Sequence, residues 1–424
     1  MEKQTKSPER QSQYRPSERA VEGFVFDVTS AYAFFERVKD KRKARGLQYP
    51  LPGVLTVCML GKLSGENTPA GIADWAKERA AWLCNALGWK RRIVKRTGKL
   101  KMPCAGSYSR ILSKALEAEE LERVTHEFFA APPTGVPPGV PTGVTHVELN
   151  LDGKKIRGTI TSDHPNGVYL LAVYQPGAGV VLLQVLIQKG EGEVTTAPRL
   201  LKMLDLQGKI ITGDAEFAQR HLSLQVVEGG GDYLWKVKAN QPTLQADIAR
   251  VFAPPPPAPP GFSNPKPDFR IATHTHTGHG RIEKRTLTTS RLLNGYSDWP
   301  HVEQVFQYET DITDKKTGER TQRVCYGITS LTRREASAQR LLAIVRGHWR
   351  IENQLHYRRD VCLQEDHCGL RLPQLAHVFA ILNNWVLGLF ARSGGGNFAA
   401  AQRHFDAHPE DALPLIMRAS PTFE

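Results

Sequence analysis

Two patterns of apolar residues divide the chain. From residue 31 to about residue 130, apolar side chains recur at helical spacing, as in Leu51, Val54 and Leu55, and this pattern predicts a compact helical domain. Residues 1–30 begin with a long polar run, so we expect a flexible tail there. Such a run cannot bury enough surface to offset the entropy that is lost on ordering.

A segment rich in proline and glycine, 131–144, follows and predicts a semi-stiff linker. Beyond it, from residue 145 to residue 392, strand-like and helix-like patterns alternate, which predicts an α/β domain with a mixed sheet. The stretch 233–330 is mainly strand-like. Residues 393–424 are expected to form a C-terminal tail.

The composition indicates a folded protein with one very basic region. The 424 residues are 40% hydrophobic, which is enough for a buried core in two or three domains. The formal charge is +13, and residues 37–101 alone hold sixteen Lys/Arg but four Asp/Glu. This surplus favours a nucleic-acid-binding module over a basic surface kept for solubility, in which acids would be interspersed. The cations expected to contact DNA are Lys41, Arg42, Lys43, Arg45, Lys90, Arg91, Arg92, Lys95 and Arg96.

The cysteines and the apolar runs indicate the cellular compartment in which the protein is expected. Six cysteines are scattered without paired spacing, so disulfides are not expected. The first thirty residues show no secretory leader, and no run approaches eighteen consecutive apolar residues. We therefore expect a reduced, unexported protein without a membrane partner.

Two carboxylates stand at matching places in the predicted α/β domain. Asp152 comes directly after the first strand, and Asp214 directly after the strand that follows the first helix. If these strands are neighbours, both side chains lie at one edge of the sheet and repel each other unless a divalent cation lies between them. Oxygen ligands suit Mg²⁺ or Mn²⁺ rather than zinc. The alternative is an ordinary turn or helix cap at each aspartate.

A third carboxylate, Glu352, lies in a polar predicted helix. His348 and His356 stand four residues before and after it, and Arg359 stands seven after, so all four share one helical face. Such a face could hold a metal and bind phosphate oxygens. An exposed, salt-bridged helix is the alternative.

Two further groups of polar residues require an interpretation. Lys236, Lys238 and Asn240 close a strand near the proposed cleft, which makes them candidate DNA contacts, with a solvated strand end as the alternative. The histidines of THTHTGHG are more consistent with a polar loop before a strand than with a metal site.

Several longer blocks occur in order along the chain. They are FFERVKDKRKARGLQYPL, PCAGSYSRIL, NLDGKKIRG, ITGDAEFAQ, YLWKVKANQPTL, HGRIEKR, YGITSL and RGHWRIENQLHYRRDVCLQEDHCGLR. Together they resemble the DDE transposases of bacterial insertion sequences, in the branch of the H-repeat-associated proteins. The resemblance covers roughly residues 34–390.

The resemblance implies a fold and an activity. It implies an RNase H-like catalytic domain at 145–392 with a mostly β insertion at about 233–330, preceded by a small all-α basic domain. The acidic triad maps onto Asp152, Asp214 and Glu352, which would hold two Mg²⁺ or Mn²⁺ ions. Such an enzyme cleaves the ends of its element and joins the 3′-OH ends to target DNA. The implied partner is double-stranded DNA, bound by a homodimer in the bacterial cytoplasm at the nucleoid.

The chain also departs from the wider transposase group. That group carries a Tyr, Arg, Glu, Lys constellation around its third acid, where this chain has Val345, His348, Glu352 and Arg359. Two other functions also stay open. One is a catalytically silent or domesticated sequence-specific DNA-binding protein, and the other is an RNase H-like nuclease without strand transfer.

Overall fold

The computed structural model describes residues 18–21, 24–44, 47–131, 146–162, 164–255, 257, 261, 263–264, 266, 268–367 and 369–418. Most of the predicted linker, the cation Arg45 and the first seventeen residues lie outside these ranges. The chain divides into two compact units. One consists of Met1–Val124, Ala131–Val136 and Arg392–Glu424, and the other of Thr125–Ala130 and Pro137–Ala391.

Helices dominate the first unit. They are α1 (Ala31–Phe35), α2 (Leu51–Leu63), α3 (Pro69–Glu78), α4 (Ala80–Ala86), α5 (Ala105–Lys114) and the first part of α6 (Ala118–Ala130). Nearly every side chain of α2 is buried, because this helix is apolar around its whole circumference. α3 begins at Thr68, whose hydroxyl accepts a hydrogen bond of 3.1 Å from the backbone N–H of Gly71.

The C-terminal segment 393–424 differs from the predicted tail. It contains α12 (Phe398–Ala407) and α13 (Pro409–Met417), which pack on α2 and α1 of the same unit. Phe405 is fully buried, and its backbone carbonyl accepts a hydrogen bond of 3.1 Å from Ser64. The apolar side chains of these two helices cover the surface of α2, which explains why the segment folds.

A short hairpin lies within the predicted N-terminal tail. β1 (Glu18–Val21) pairs antiparallel with β2 (Phe24–Asp27), and the Phe26 side chain is buried. The aromatic and β-branched residues of β2 favour a strand. The unit is therefore not purely helical, in contrast to the all-α expectation.

One large sheet organises the second unit and confirms the predicted mixed α/β architecture. Its strands are β3 (Val147–Ile156), β4 (Val168–Gln175), β5 (Val180–Leu186), β6 (Lys209–Gly213), β7 (Asp232–Val237), β8 (Arg270–Gly278), β9 (Arg281–Ser290), β10 (Gln304–Asp314) and β11 (Arg320–Thr329). The strand order is β5-β4-β3-β6-β7-β11-β10-β9-β8. The strands β3, β4 and β5 form an antiparallel meander, and β6 and β7 run parallel to β3.

The strand-rich stretch after β7 extends this same sheet. β11 pairs antiparallel with β7, and β10, β9 and β8 follow outward. The prediction of a loop for THTHTGHG is wrong, because His274 and His276 lie in the edge strand β8 and His279 lies in the turn to β9. An edge strand tolerates polar side chains because both of its faces are largely exposed here.

Helices cover the second unit's sheet. They are α7 (Glu193–Leu201), α8 (Arg220–Glu228), α9 (Pro242–Phe252), α10 (Ala338–His348) and α11 (Pro373–Arg392). α10 is followed by π-helical segments at Ile351–His356 and Arg358–Cys362. In the part of the chain that the structure describes, α11 alone is long and apolar enough to cross a membrane. However, 89% of its most apolar window is buried, as in an ordinary core helix.

Candidate active site

Asp152 and Asp214 lie on neighbouring parallel strands. β3 and β6 pair in parallel with Asn150 opposite Thr212, and each aspartate stands two residues further along its own chain. This confirms the expected adjacency of the two strands, although Asp152 lies inside β3 rather than after its end. Asp214 is exposed and caps the short helical turn Ala215–Phe217, accepting a 2.9 Å hydrogen bond from the backbone N–H of Glu216.

Glu352 lies close to Asp152, and His356 contacts both carboxylates. The Nδ1 atom of His356 lies 3.4 Å from Oδ2 of Asp152 and 3.5 Å from Oε2 of Glu352. Potential ligand atoms of these three residues all lie within 4.8 Å of one another, so they could hold a metal ion. Asp214 is outside this group of three, but its charge contributes to the raised pKa of Asp152.

The electrostatics of the site are those of crowded carboxylates. Burial, followed by the charges of Glu193 and Glu352, raises the pKa of Asp152 to about 8. The pKa of Glu352 is lowered, chiefly by its hydrogen bond with His356. Within the described residues, no Lys or Arg side chain pairs with Asp152, Asp214, Glu193 or Glu352. The cluster therefore has an excess of negative charge.

Glu193 is a site residue that the sequence interpretation missed. It is the first residue of α7, its carboxylate accepts a hydrogen bond from the Tyr169 hydroxyl, and a Cβ atom at Gly153 would clash with its Oε1. Burial raises the pKa of Glu193. The signal was present, because Glu193 follows β5, which ends at the same edge of the sheet as β3.

His356 and His348 do not occupy the positions expected of DNA contacts. The His356 side chain is 8% exposed and faces the carboxylates, so it belongs to the acidic cluster. His348 is half-buried, and its Nδ1 lies 3.1 Å from the Thr212 hydroxyl. Burial, followed by the charge of Lys236, lowers the pKa of His348 to about 3. A neutral imidazole cannot supply the charge of the predicted phosphate contact.

The structure also contradicts the DNA contact predicted for Arg359. Its side chain is fully buried and forms an ion pair of 2.8 Å with Glu365. The guanidinium also donates a 3.3 Å hydrogen bond to Oε1 of Gln184 in β5. Arg359 therefore anchors the segment that carries Glu352 rather than binding a phosphate.

Two further contacts fix that segment against the sheet. Lys154, two residues after Asp152 in β3, forms an ion pair of 2.6 Å with Asp360. The Tyr174 hydroxyl donates a hydrogen bond of 3.0 Å to Oε1 of Gln354. The position of Glu352 relative to β3 is thus set by contacts of the residues that follow it along the chain.

The end of β7 and the residues that follow it lie beside this cluster. The Lys236 ammonium lies 5.0 Å from the ring centroid of Trp349, which is 54% exposed. Lys238 is exposed, and its contact with DNA stays a prediction. Asn240 donates a 2.6 Å hydrogen bond to the backbone carbonyl of Ala215 and so supports the turn after Asp214.

The predicted basic residues of the first unit divide into two sets. Arg42 is half-buried and held by Asp40 at 2.6 Å, and Lys41 pairs with Glu117. The second set is exposed and consists of Lys43 and a group in or beside a hairpin, residues 91–101, that is closed by a backbone hydrogen bond of 2.7 Å from Lys101 to Arg92. Its predicted DNA contacts are Lys90, Arg91, Arg92, Lys95 and Arg96.

Two known family models match the sequence of this chain. The family model described as the transposase DDE domain matches residues 142–389, which is more than half of the chain. A second model, described as DDE_Tnp_1-associated, matches residues 32–129.

Individual relatives agree with these matches. The Escherichia coli K12 protein YbfL is 26% identical over 83% of this chain and 88% of its own length. The H repeat-associated transposase candidates YhhI and YbfD of the same strain are 29% and 32% identical. They cover 57% and 32% of this chain, which spans 63% and 52% of their respective lengths. A piggyBac transposase synaptic complex with hairpin DNA aligns with a TM-score of 0.36 and 11% identity, too low a similarity to support an inference. The chain therefore belongs to the DDE transposases of insertion sequences, in the branch of the H repeat-associated proteins.

Proposed function

We propose that this protein cleaves the DNA ends of its own mobile element and joins the 3′-OH ends to target DNA. Asp152, Asp214 and Glu352 are its catalytic acids. The observation that carries the proposal is their placement. The two aspartates each stand two residues beyond a paired position of the parallel neighbours β3 and β6, and His356 links Asp152 to Glu352.

The sheet supports an RNase H-like catalytic domain. Its strands β5-β4-β3-β6-β7 comprise an antiparallel meander and two strands parallel to β3, with α7 and α8 in the connections. We take β8–β11 as the β insertion, since they lie in the chain between β7 and the helix that precedes Glu352. The basic first unit is then the DNA-binding domain.

The acidic cluster fits a divalent cation. Its carboxylates are crowded, and no Lys or Arg among the described residues neutralises them by an ion pair. Oxygen donors suit Mg²⁺ or Mn²⁺. We propose that Asp152, Asp214 and Glu352 hold two such ions. When bound, these ions supply activation of the attacking hydroxyl and a counter-charge for the departing oxygen.

The protein's own residues orient the acids. The Asn150 side chain donates to the backbone carbonyls of Gly347 and His348, at 3.1 and 3.2 Å, and so joins β3 to the end of α10. Thr212 donates a 2.9 Å hydrogen bond to Asn150 and joins β6 to the same group. His356 then sets the spacing between Asp152 and Glu352. Fixed carboxylates of this kind lower the reorganisation that catalysis requires.

Duplex DNA of the element ends and of the target is the substrate in this proposal. The exposed cations of the first unit bind the phosphate backbone, and the exposed Lys238 directly follows β7, the neighbour of β6. Pairing two element ends requires at least two protomers, so we propose a homodimer in the DNA complex. The protein would act at the nucleoid in the bacterial cytoplasm.

A plasmid assay tests the function. The full chain would be incubated with Mg²⁺, a supercoiled plasmid that carries the DNA flanking both sides of the gene, and a target plasmid. We expect nicking at the element ends followed by joined products, and loss of both in Asp214→Asn. Glu228→Gln, an exposed charge change on α8, is the matched control and should retain activity.

The products distinguish the other two functions. DNA binding without cleavage by the unaltered chain would indicate a silent DNA-binding protein, and cleavage without joined products would indicate a nuclease. Cleavage that survives Asp214→Asn would refute the assignment of the acids.

A further inference from the structure

A basic cavity lies within the first unit, apart from the acidic cluster. Its volume is about 670 Å³, and it is formed by the segment before α2, the end of the hairpin and the exposed side of α5. The described residues that line it include no Asp or Glu. Its six cations are Lys41, Arg42, Lys43, Lys101, Arg110 and Lys114.

Most of this positive charge is uncompensated. Arg42 is paired with Asp40, and Lys41 with Glu117. The other four cations have no carboxylate within ion-pair distance in the described ranges of the chain. Like charges gathered around one cavity repel each other, and an anion bound between them would relieve that repulsion.

The cavity wall presents anion-binding groups on a regular element. Ser107, Arg110 and Lys114 stand at positions i, i+3 and i+7 of α5, so they share one face of the helix. The N-terminus of α5 also lines the cavity, through its N-cap Cys104 and through Ser107 in the first turn, and the amide dipoles at a helix N-terminus favour negative charge. These groups suit a phosphate.

The surroundings favour a polymeric anion over a small one. Lys101 belongs both to the cavity wall and to the hairpin of residues 91–101. The hairpin continues the positive charge outward through Arg92, Lys95, Arg96 and Lys99, all exposed. A free phosphate would not use this extension, whereas successive phosphates of a DNA strand would.

We propose that this cavity binds a backbone phosphate of duplex DNA, with Arg110 and Lys114 as the contacting cations and the hairpin on the adjoining phosphates. The inference rests on the proposed function only in taking DNA as the partner. It adds a defined phosphate site, including three cations of the cavity that the sequence interpretation did not select.

Salt dependence of DNA binding provides the first test. The full chain and its Arg110→Gln/Lys114→Gln variant would be titrated with a duplex of the element end, without divalent metal, at several salt concentrations. The slope of log K against log salt is negative, and each lost phosphate contact should reduce its magnitude by about 0.9. We expect a slope smaller in magnitude by about one to two and an affinity at least about tenfold weaker at low salt. Arg403→Gln, an exposed arginine change on α12, should leave both unchanged.

Alkylation of Cys104 provides the second test, because it reports on the cavity itself. Cys104 is exposed, and its hydrogen bond with Ser107 lowers the pKa of its thiol, so N-ethylmaleimide should react with it readily. Saturating duplex DNA should slow this reaction by at least about tenfold, as measured by mass spectrometry of the Cys104 peptide. The protection should be lost in Arg110→Gln/Lys114→Gln.

Two outcomes overturn the proposal. One is an unchanged affinity and salt slope in a folded double variant, and the other is a Cys104 that DNA does not protect. Protection by inorganic phosphate alone, and not by DNA, would replace the DNA site with a site for a free anion. Because neither test uses cleavage, an inactive protein with a DNA-protected Cys104 would refute the proposed function and leave this inference standing.

Discussion

The imidazole Nδ1 of His356 lies 3.4 Å from Oδ2 of Asp152, although the two residues come from distant parts of the chain. The same nitrogen lies 3.5 Å from Glu352, one helical turn earlier. The other ring nitrogen, Nε2, is buried without a hydrogen-bond partner among the described residues. His356 therefore has its polar contacts on the acidic side, where it couples a strand carboxylate to a helical one.

Replacing His356 should impair the site while leaving the fold intact. We expect His356→Ala to lower strand cleavage, or the apparent Mg²⁺ affinity, by about 10- to 100-fold, because a neighbouring group that orients a metal ligand typically contributes that much. His356→Asn should recover part of the loss, since its amide nitrogen can take the place of Nδ1. Cleavage rates over a Mg²⁺ titration measure both effects.

An exposed histidine provides the comparison for that experiment. His221→Ala on α8 should match the unaltered protein. If His356→Ala kept the normal rate and the normal Mg²⁺ dependence, the imidazole would have no part in orienting the acids.

The aspartates were predictable from sequence, because the order of strands in the sheet determines where they meet. Apolar runs identified β3 and β6, and an acid at the end of each pointed to one edge of the sheet. Glu352 was found by its place in a polar helix. Glu193 was missed because an acid at the start of a helix is usual for electrostatic reasons, so its position after β5 was not recognised as part of the site.

The prediction for Arg359 failed for a geometric reason. It assumed a regular α-helix around Glu352, in which residues seven apart share a face. The segments Ile351–His356 and Arg358–Cys362 are π-helical, and their wider turns rotate later residues away from that face. Arg359 consequently points into the core and not toward DNA.

The stability of the metal-free protein should depend on pH through Asp152. Its pKa is about 8 in the folded protein against 3.8 ordinarily, so the folded state binds the proton more tightly. Stability from this group is therefore present at low pH and is lost as the pH rises from about 4 to about 8. Asp152→Asn removes this loss and should raise the free energy of unfolding by about 2 kcal/mol at pH 8.5, less than the full shift implies because the side chain is partly exposed.

Thermal unfolding between pH 5 and pH 8.5, in chelator, measures this difference. Mg²⁺ added at pH 8.5 should stabilise the unaltered protein more than Asp152→Asn, because ligand binding to the folded state raises its stability. Identical pH profiles for the two proteins would mean that the pKa of Asp152 is not raised in the folded protein.

Arg359 should prove important for stability and not for DNA contact. Arg359→Met leaves the buried Glu365 carboxylate without its arginine ion pair, which should cost about 3–5 kcal/mol of unfolding free energy, as measured by urea denaturation. The double variant Arg359→Met/Glu365→Met should recover much of this loss because no buried charge remains unpaired. Arg350→Met, at an exposed position, should cost little.

DNA binding by the double variant separates the two roles of Arg359. Since Arg359 is fully buried, the slope of log affinity against log salt should equal that of the unaltered protein. A slope smaller in magnitude by about one would mean that Arg359 contacts a phosphate, as the sequence had suggested.

Glu193 should control the proton affinity of Asp152. After burial, the charge of Glu193 is the next cause of the raised pKa of Asp152, so Glu193→Gln should move the titration of Asp152 to lower pH. Carbon-13 NMR of the aspartate carboxyl groups in metal-free protein measures this, with Glu228→Gln as the control. In the plasmid assay, the acidic limb of the pH–rate profile should move in the same direction, because Asp152 is then ionised at lower pH.

Tyr169→Phe removes the hydrogen bond that stabilises the Glu193 carboxylate and should act in the same direction but more weakly. An Asp152 titration that stayed in place, or moved to higher pH, would show that Glu193 does not act on the site through its charge.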